Sequence, residues 1–164
     1  MADQDGVTLA RAVRLREQGT PAARELLVGL TDRHPHDGAL AYQAAWAHDS
    51  AGLETEAVPF YQRALRGSGL SVEDRHGAYL GLGSTYRVLG RYRESLATLR
   101  RGLAEFPDDA ALRTFLAMAL HNVGESGEAV RTLLEVVAAT SADERVRAYR
   151  RAIDHYADHL DETG

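Results

Sequence analysis

Few residues in this chain have both the types and the spacing that chemistry requires. His155-x3-His159, with Asp158 beside the second histidine, has the i, i+4 geometry that puts two ring nitrogens on one helical face. Such a pair can hold a metal ion, but a zinc protease needs a glutamate directly after the first histidine, and Tyr156 stands there. His34-Pro35-His36 falls in a turn, where histidines are ordinarily solvated. Gly81-x-Gly83 lacks the third glycine of a dinucleotide-binding loop and falls within a helical pattern, where small residues serve packing. The paired carboxylates Asp108-Asp109 and Asp161-Glu162 lie at a turn and in the tail, where they cap helices or stay hydrated. No serine or threonine has a histidine and a carboxylate in a recognisable catalytic context.

Two residue types are missing altogether. Without cysteine there is no thiolate nucleophile, disulfide or zinc–thiolate site. Without lysine, all 19 basic residues are arginine, which excludes Schiff-base chemistry, a phosphate-loop lysine and a lysine general base. Arginine-only usage fits the codon bias of a GC-rich, bacterial genome. The expectation is a protein that is not an enzyme, with no catalytic residue, no cofactor and no metal.

The helices that would carry these residues belong to one soluble domain, residues 1–164, long enough to bury roughly two-thirds of its unfolded surface. No apolar stretch approaches the ~20 residues of a membrane span, so no membrane partner is expected. The net charge of -5 argues against nucleic acid, whose binders carry a basic face that displaces counterions. The acidic start Met1-Ala2-Asp3-Gln4-Asp5 lacks the basic head and apolar core of a secretion signal, which points to the cytoplasm.

Internal repetition is the strongest signal. Tyr79-x2-Leu82-Gly83-x2-Tyr86, then Ser95-x3-Leu99 and Pro107, defines one unit, and 34 residues on come Leu116-Ala117-x2-Leu120 and Ala129-x3-Leu133. Upstream stand Ala44-Ala45-x2-His48 and Ala57-x3-Tyr61-x2-Ala64, and before them a weaker copy, Ala23-x3-Leu27-x2-Leu30, closing on Pro35. Arg11 occupies a small-residue position of that first copy, which makes it degenerate, as terminal repeats often are. The pairs Ala45/Ala57, Gly83/Ser95 and Ala117/Ala129 are each twelve residues apart, one per helix of a hairpin, and let two backbones approach closely. Gly52, Gly90 and Gly124 recur where a helix end favours positive φ, and Pro35 and Pro107 stop their helices.

Pro35 and Pro107 are 72 residues apart, two periods of 34 plus four. Four residues make about one helical turn. Ser71 before Asp74 reads as a hydroxyl cap, so the extra residues predict a lengthened helix over 72–89 rather than a looped insertion. At the other end, Ser141-x2-Glu144 reads as a capping box opening a last helix. Val146, Tyr149, Ile153, Tyr156 and Leu160 form its apolar stripe, opposite Arg147, Arg150, Arg151 and Asp154.

Over about residues 6–160 these spacings resemble the tetratricopeptide repeat, a helix–turn–helix unit of about 34 residues, in a small stand-alone protein of bacterial type. The resemblance implies an all-α fold, a right-handed superhelix of stacked antiparallel helix pairs. It has a degenerate unit at 6–35, full units at 38–71, 72–109 and 110–141, and a capping helix at 142–161. It further implies a concave groove, lined by the first helix of each unit, that grips a peptide or helix of a partner protein. Transferred by register, the groove-facing residues are Tyr42, Trp46 and Asp49; Leu80, Ser84 and Arg87; and Thr114, Met118 and His121.

Each trio has i, i+4, i+7 spacing and so lies on one helical face. Tyr42, Trp46, Leu80 and Met118 would form an apolar floor, with Arg87 and His121 able to orient a carboxylate or carbonyl. A subgroup of the family grips acidic chaperone tails with lysine and asparagine. Tyr42 and Trp46 stand where that pair would be, so a more hydrophobic ligand is expected. The competing expectations are a homo-oligomeric scaffold that assembles through its last helix or its groove, and a regulatory protein controlling an enzyme partner.

Overall fold

The structure, a computed structural model, describes residues 2–162, with side chains from Thr8. The described residues form ten α-helices and no strand, as the repeat pattern predicts; one isolated parallel bridge joins Asp37 to Ser68. The chain divides into two compact units, one ending at Gly90 and the other beginning at Arg91.

The first unit holds α1 (Ala2–Gln18), α2 (Pro21–Arg33), α3 (Gly38–Asp49), α4 (Glu54–Arg66) and α5 (Val72–Val88). Side-chain caps set several of their starts. Thr20 accepts from the Ala23 N–H at 3.2 Å with Pro21 at the first helical position, and Asp37 accepts from Leu40 N–H at 2.9 Å. Ser71 accepts from Asp74 N–H at 3.0 Å, so α5 starts at Val72 and the four extra residues are a helical turn. The α2 helix stops before His34-Pro35, because the residue ahead of a proline is pushed out of the helical region.

Helix α3 is the centre of this unit and is buried along most of its length by α1, α2, α4 and α5. Its small residues Ala39, Ala41, Ala44, Ala45 and Ala47 make that possible. Ala12 and Leu15 from α1, Ala23, Leu27 and Leu30 from α2, and Leu40, Ala44 and Ala47 from α3 form one core, with Leu9 and Phe60 against its edge. The degenerate first copy is therefore fully packed. Arg11 is exposed, and Ala12, one residue later, is the buried small residue, because only Gly19 and Thr20 separate α1 from α2.

The α4–α5 connection is pinned rather than loose. Gly38 N–H donates to the Ser68 carbonyl (2.7 Å) and Ser68 N–H to the His36 carbonyl (3.0 Å). Arg63 of α4 donates to the carbonyls of Pro35 (3.0 Å) and Thr31 and pairs with Asp32 at 3.3 Å. It thereby adds a donor to the Thr31 carbonyl, which already accepts from the His34 N–H, and supplies one to the Pro35 carbonyl beyond the helix end. Pro59 lies inside α4, but it and Thr55, whose carbonyl loses its helical donor, are both exposed, so the carbonyl is not sealed from solvent.

The second unit holds α6 (Tyr92–Glu105), α7 (Ala110–Asn122), α8 (Ser126–Thr140), α9 (Glu144–Ala148) and α10 (Arg150–Ala157). Asp109 caps α7 by accepting from Leu112 N–H at 2.7 Å. Ala117 and Ala129 are buried in the α7–α8 hairpin, as the twelve-residue spacing predicts, and Leu112 and Leu120 are fully buried beside them. Arg113 ties the turn before α7 to α8, donating to the Pro107 carbonyl at 3.1 Å and pairing with Glu135 at 3.6 Å. Gly52, Gly90 and Gly124 have φ of 70°, 72° and 90°, the left-handed helix ends expected from their spacing.

The last helix departs from expectation in two ways. Its cap is Asp143, whose Oδ1 accepts from the N–H groups of Arg145 and Val146; Ser141 instead accepts from Asp143 N–H at 3.2 Å. An aspartate next to the first helical residue outcompetes a serine two places earlier. The helix also breaks at Tyr149 (φ -98°, ψ 6°) into α9 and α10, which interrupts the stripe. Tyr149 and Tyr156 are 68% and 63% exposed, and Ala157 is the residue buried where α10 packs on α8.

Candidate functional site

Helices α3 and α5 bring the first two trios onto the first unit. Within it the three α3 residues have different fates. Tyr42 is only 8% exposed, with its ring 5.8 Å from that of Trp46 and 6.3 Å from that of Tyr61. Trp46, one turn later, remains 41% exposed. Asp49 is turned into the protein: the Tyr61 hydroxyl donates to Oδ2 at 2.9 Å, and the Thr85 hydroxyl oxygen lies 3.3 Å from Oδ1. Asp49 thus works chiefly as a tie between α3 and α4 that also touches α5, where the Thr85 hydroxyl has the Gly81 carbonyl as its nearer acceptor at 2.8 Å.

The fit of the two tyrosines depends on glycines of α5. A Cβ at Gly77 would collide with the Tyr42 hydroxyl, and one at Gly81 would lie 2.5 Å from Cζ of Tyr61. Gly81 is indeed inside a helix, as read from the sequence, and its absent side chain is the seat of a tyrosine. Burial pushes the Tyr61 phenol far above its ordinary pKa, and the Asp49 carboxylate adds to the shift. Burial likewise raises Tyr42, with the Asp74 carboxylate adding to it and the Arg16 guanidinium opposing. Asp74 itself is raised by burial, against the Ser71 hydrogen bond and the charge of Arg16.

On α5, Leu80, Ser84 and Arg87 are half-buried, and Arg87 Nε is buried without a hydrogen-bond partner among the described residues. Sequence reasoning missed Arg16. Its guanidinium carbon stands 3.9 Å from the centre of the Trp46 ring, a cation–π contact reaching from α1 to α3. No repeat position flags it, because α1 lies off register.

The third trio, on α7 in the second unit, is also split. Thr114 donates to the Ala110 carbonyl at 2.7 Å, so its hydroxyl is used within its own helix. Met118 is 40% exposed, and His121 is exposed with Nδ1 3.5 Å from Ser126 Oγ. Of the histidines weighed for metal, the His155 and His159 rings stack with centroids 4.4 Å apart, and His159 Nδ1 is held at 2.6 Å by the His155 carbonyl. Among the described residues no three histidine, aspartate or glutamate side chains converge on one point. No described helix is long and apolar enough to cross a membrane.

This succession of helical hairpins, with small residues at their contacts and an aromatic left exposed, coincides with a known repeat. The profile of the tetratrico peptide repeat family matches residues 38–160. The chain belongs to that family. It is also 36% identical over 105 residues to Superkiller protein 3 of Schizosaccharomyces pombe (strain 972 / ATCC 24843), an alignment covering 60% of this chain and 7% of that protein. The chain thus spans a small fraction of that relative's length. Tetratrico peptide repeats are generally protein-interaction modules, typically helical scaffolds without enzymatic activity. The family match begins at Gly38, the first residue of α3, so α1 and α2 lie outside it although they complete the core behind Trp46.

Proposed function

We propose that this tetratrico peptide repeat protein is an adaptor that binds a peptide or helix of a partner protein on the faces carrying the three trios. In this reading the repeat units and the helices that follow serve as one cytoplasmic binding domain without catalysis. The observation that carries it is the chain's single tryptophan, Trp46, held 41% exposed in the same unit as a half-buried Arg87 whose Nε has no partner among the described residues. Tryptophan and arginine are the residue types whose truncation most often costs binding energy. Leu80 and Ser84 complete that face, Met118 and His121 offer a second contact of the same kind on α7, and Tyr42 and Asp49 hold the face from behind.

The test uses Trp46→Ala and Arg87→Ala against a partner recovered by co-purification and identified by mass spectrometry. Each variant is expected to weaken binding by roughly thirtyfold, as a hot-spot residue does, with its melting curve retained. Unchanged affinity in a folded variant would remove this face from consideration.

One observation favours self-assembly as a second reading. Val130, Leu133 and Val137 recur at i, i+3, i+7 on α8 and all remain exposed. Light scattering decides it: assembly predicts a mass above that of one chain at high micromolar concentration, and a monomer there eliminates the scaffold.

A further inference from the structure

Arg16 is the polar group that the repeat pattern does not account for. It stands in the last turn of α1, outside the region matching the family, yet its guanidinium covers one face of Trp46 at 3.9 Å. Its side chain is 17% exposed, and among the described residues it pairs with Glu17, Nη2 to Oε1 at 3.3 Å, a neighbour that is mostly in solvent. The ring it covers, Trp46, has the Tyr42 ring 5.8 Å behind it, tilted by 45°. The carboxylate of Asp74 on α5 lies within electrostatic reach of both Arg16 and Tyr42. An indole face whose covering charge has the Glu17 carboxylate at 3.3 Å and Asp74 within electrostatic reach has the chemistry of a cation site.

We infer that the exposed face of Trp46 is a guanidinium subsite that takes an arginine side chain of the partner, and that Arg16 is its intramolecular occupant. The inference rests on the adaptor reading and names the chemistry that the first-unit face selects. Charge complementarity favours this occupant over an acidic or purely apolar side chain, since Asp74 and Glu17 would repel the first and be left uncompensated by the second. A guanidinium is preferred to an ammonium because its planar, weakly hydrated group stacks on indole. The Glu17 pair is the weak, solvent-exposed kind, so what Arg16 gives up on leaving is chiefly the burial of its stem and its stacking on Trp46, and an incoming arginine replaces both in kind. The first helix thereby screens the subsite until a competing arginine arrives.

The experiment uses the full chain with Arg16→Ala and the chain's only tryptophan as its own reporter. Ethylguanidinium chloride is titrated against Trp46 fluorescence, with ethylammonium chloride at equal ionic strength as the control. The variant is expected to show a saturable change with ethylguanidinium, half-complete at about a tenfold lower concentration than in the unaltered chain, and a weaker response to ethylammonium. A response in the variant that is linear, or equal for the two cations, overturns the subsite. Should Arg16→Ala fail to fold, Arg16→Gln keeps most of the stem and removes the charge, and the same two outcomes apply. The titration contains no partner protein, so its failure is distinct from unchanged partner binding by Trp46→Ala and Arg87→Ala, which would instead strike the adaptor reading.

Discussion

Replacing Leu27 with alanine is expected to cost the protein about 2–5 kcal/mol of stability, the range for a large-to-small change at a fully buried site. Leu27 lies on α2 within the core that joins α1 and α2 to α3. The change removes buried methyl groups and leaves a cavity lined by residues of helices that cannot all close in. A loss of that size is a large part of the ~5–15 kcal/mol that a folded domain commonly has. Because α3 presents Trp46 on its other side, the cavity also loosens the tryptophan's surroundings and the station of Arg16. The measurement is a chemical denaturation curve followed both by circular dichroism and by Trp46 fluorescence. If the first hairpin were a dispensable appendage, both curves would overlay those of the unaltered chain, and this account of the first unit would fail.

Replacing Gly81 with alanine carries an expected effect whose sign is informative. At an exposed position within a helix this change stabilises by roughly 0.5–1 kcal/mol, since glycine is the poorer helix former. Here the new methyl group would lie 2.5 Å from Cζ and 2.8 Å from Cε1 of Tyr61. Tyr61 cannot swing aside without giving up its 2.9 Å hydrogen bond to Asp49 and leaving a buried hydroxyl unpaired. Overpacking of this kind costs about 1–3 kcal/mol, which outweighs the helical gain. Thermal melting should therefore fall by roughly 3 °C for each kcal/mol lost. A raised melting temperature would mean that α5 does not approach Tyr61 as closely as described. Combining the change with Tyr61→Leu, which removes the ring, should recover part of the loss, because neighbouring sites are coupled.

These two positions show how the proposed binding face is supported. Leu27 holds α3 from behind, and Gly81 lets Tyr61 reach Asp49, which bridges α3 to α5. Trp46 and Arg87 can serve a partner because other side chains carry the packing. Asp49 and Tyr42, although in the same helical trio as Trp46, belong largely to that support.

Much of this was legible in the chain because it depends on short-range chemistry. Helix starts follow from Asp37, Ser71 and Asp109, whose side chains accept from backbone N–H groups three residues on, and helix ends from Gly52, Gly90 and Gly124. The four-residue excess between Pro35 and Pro107 translates into one more turn of α5 because Ser71 supplies a cap at the right place. Repetition at a fixed period made the all-α hairpin class plain, since each unit must bury its apolar face against the next. What local rules could not supply was which neighbour each side chain meets. Asp49, Tyr42 and Trp46 share a helical face by spacing, yet Tyr61 and Thr85 claim the first, the close approach of Gly77 buries the second, and Arg16 shields the third. The kink at Tyr149 interrupted an apparently continuous stripe, and Arg16 came to Trp46 from a helix whose repeat signature is degenerate. Such contacts join residues from α1, α3, α4 and α5 far apart in the chain, and periodicity along one helix carries no information about them.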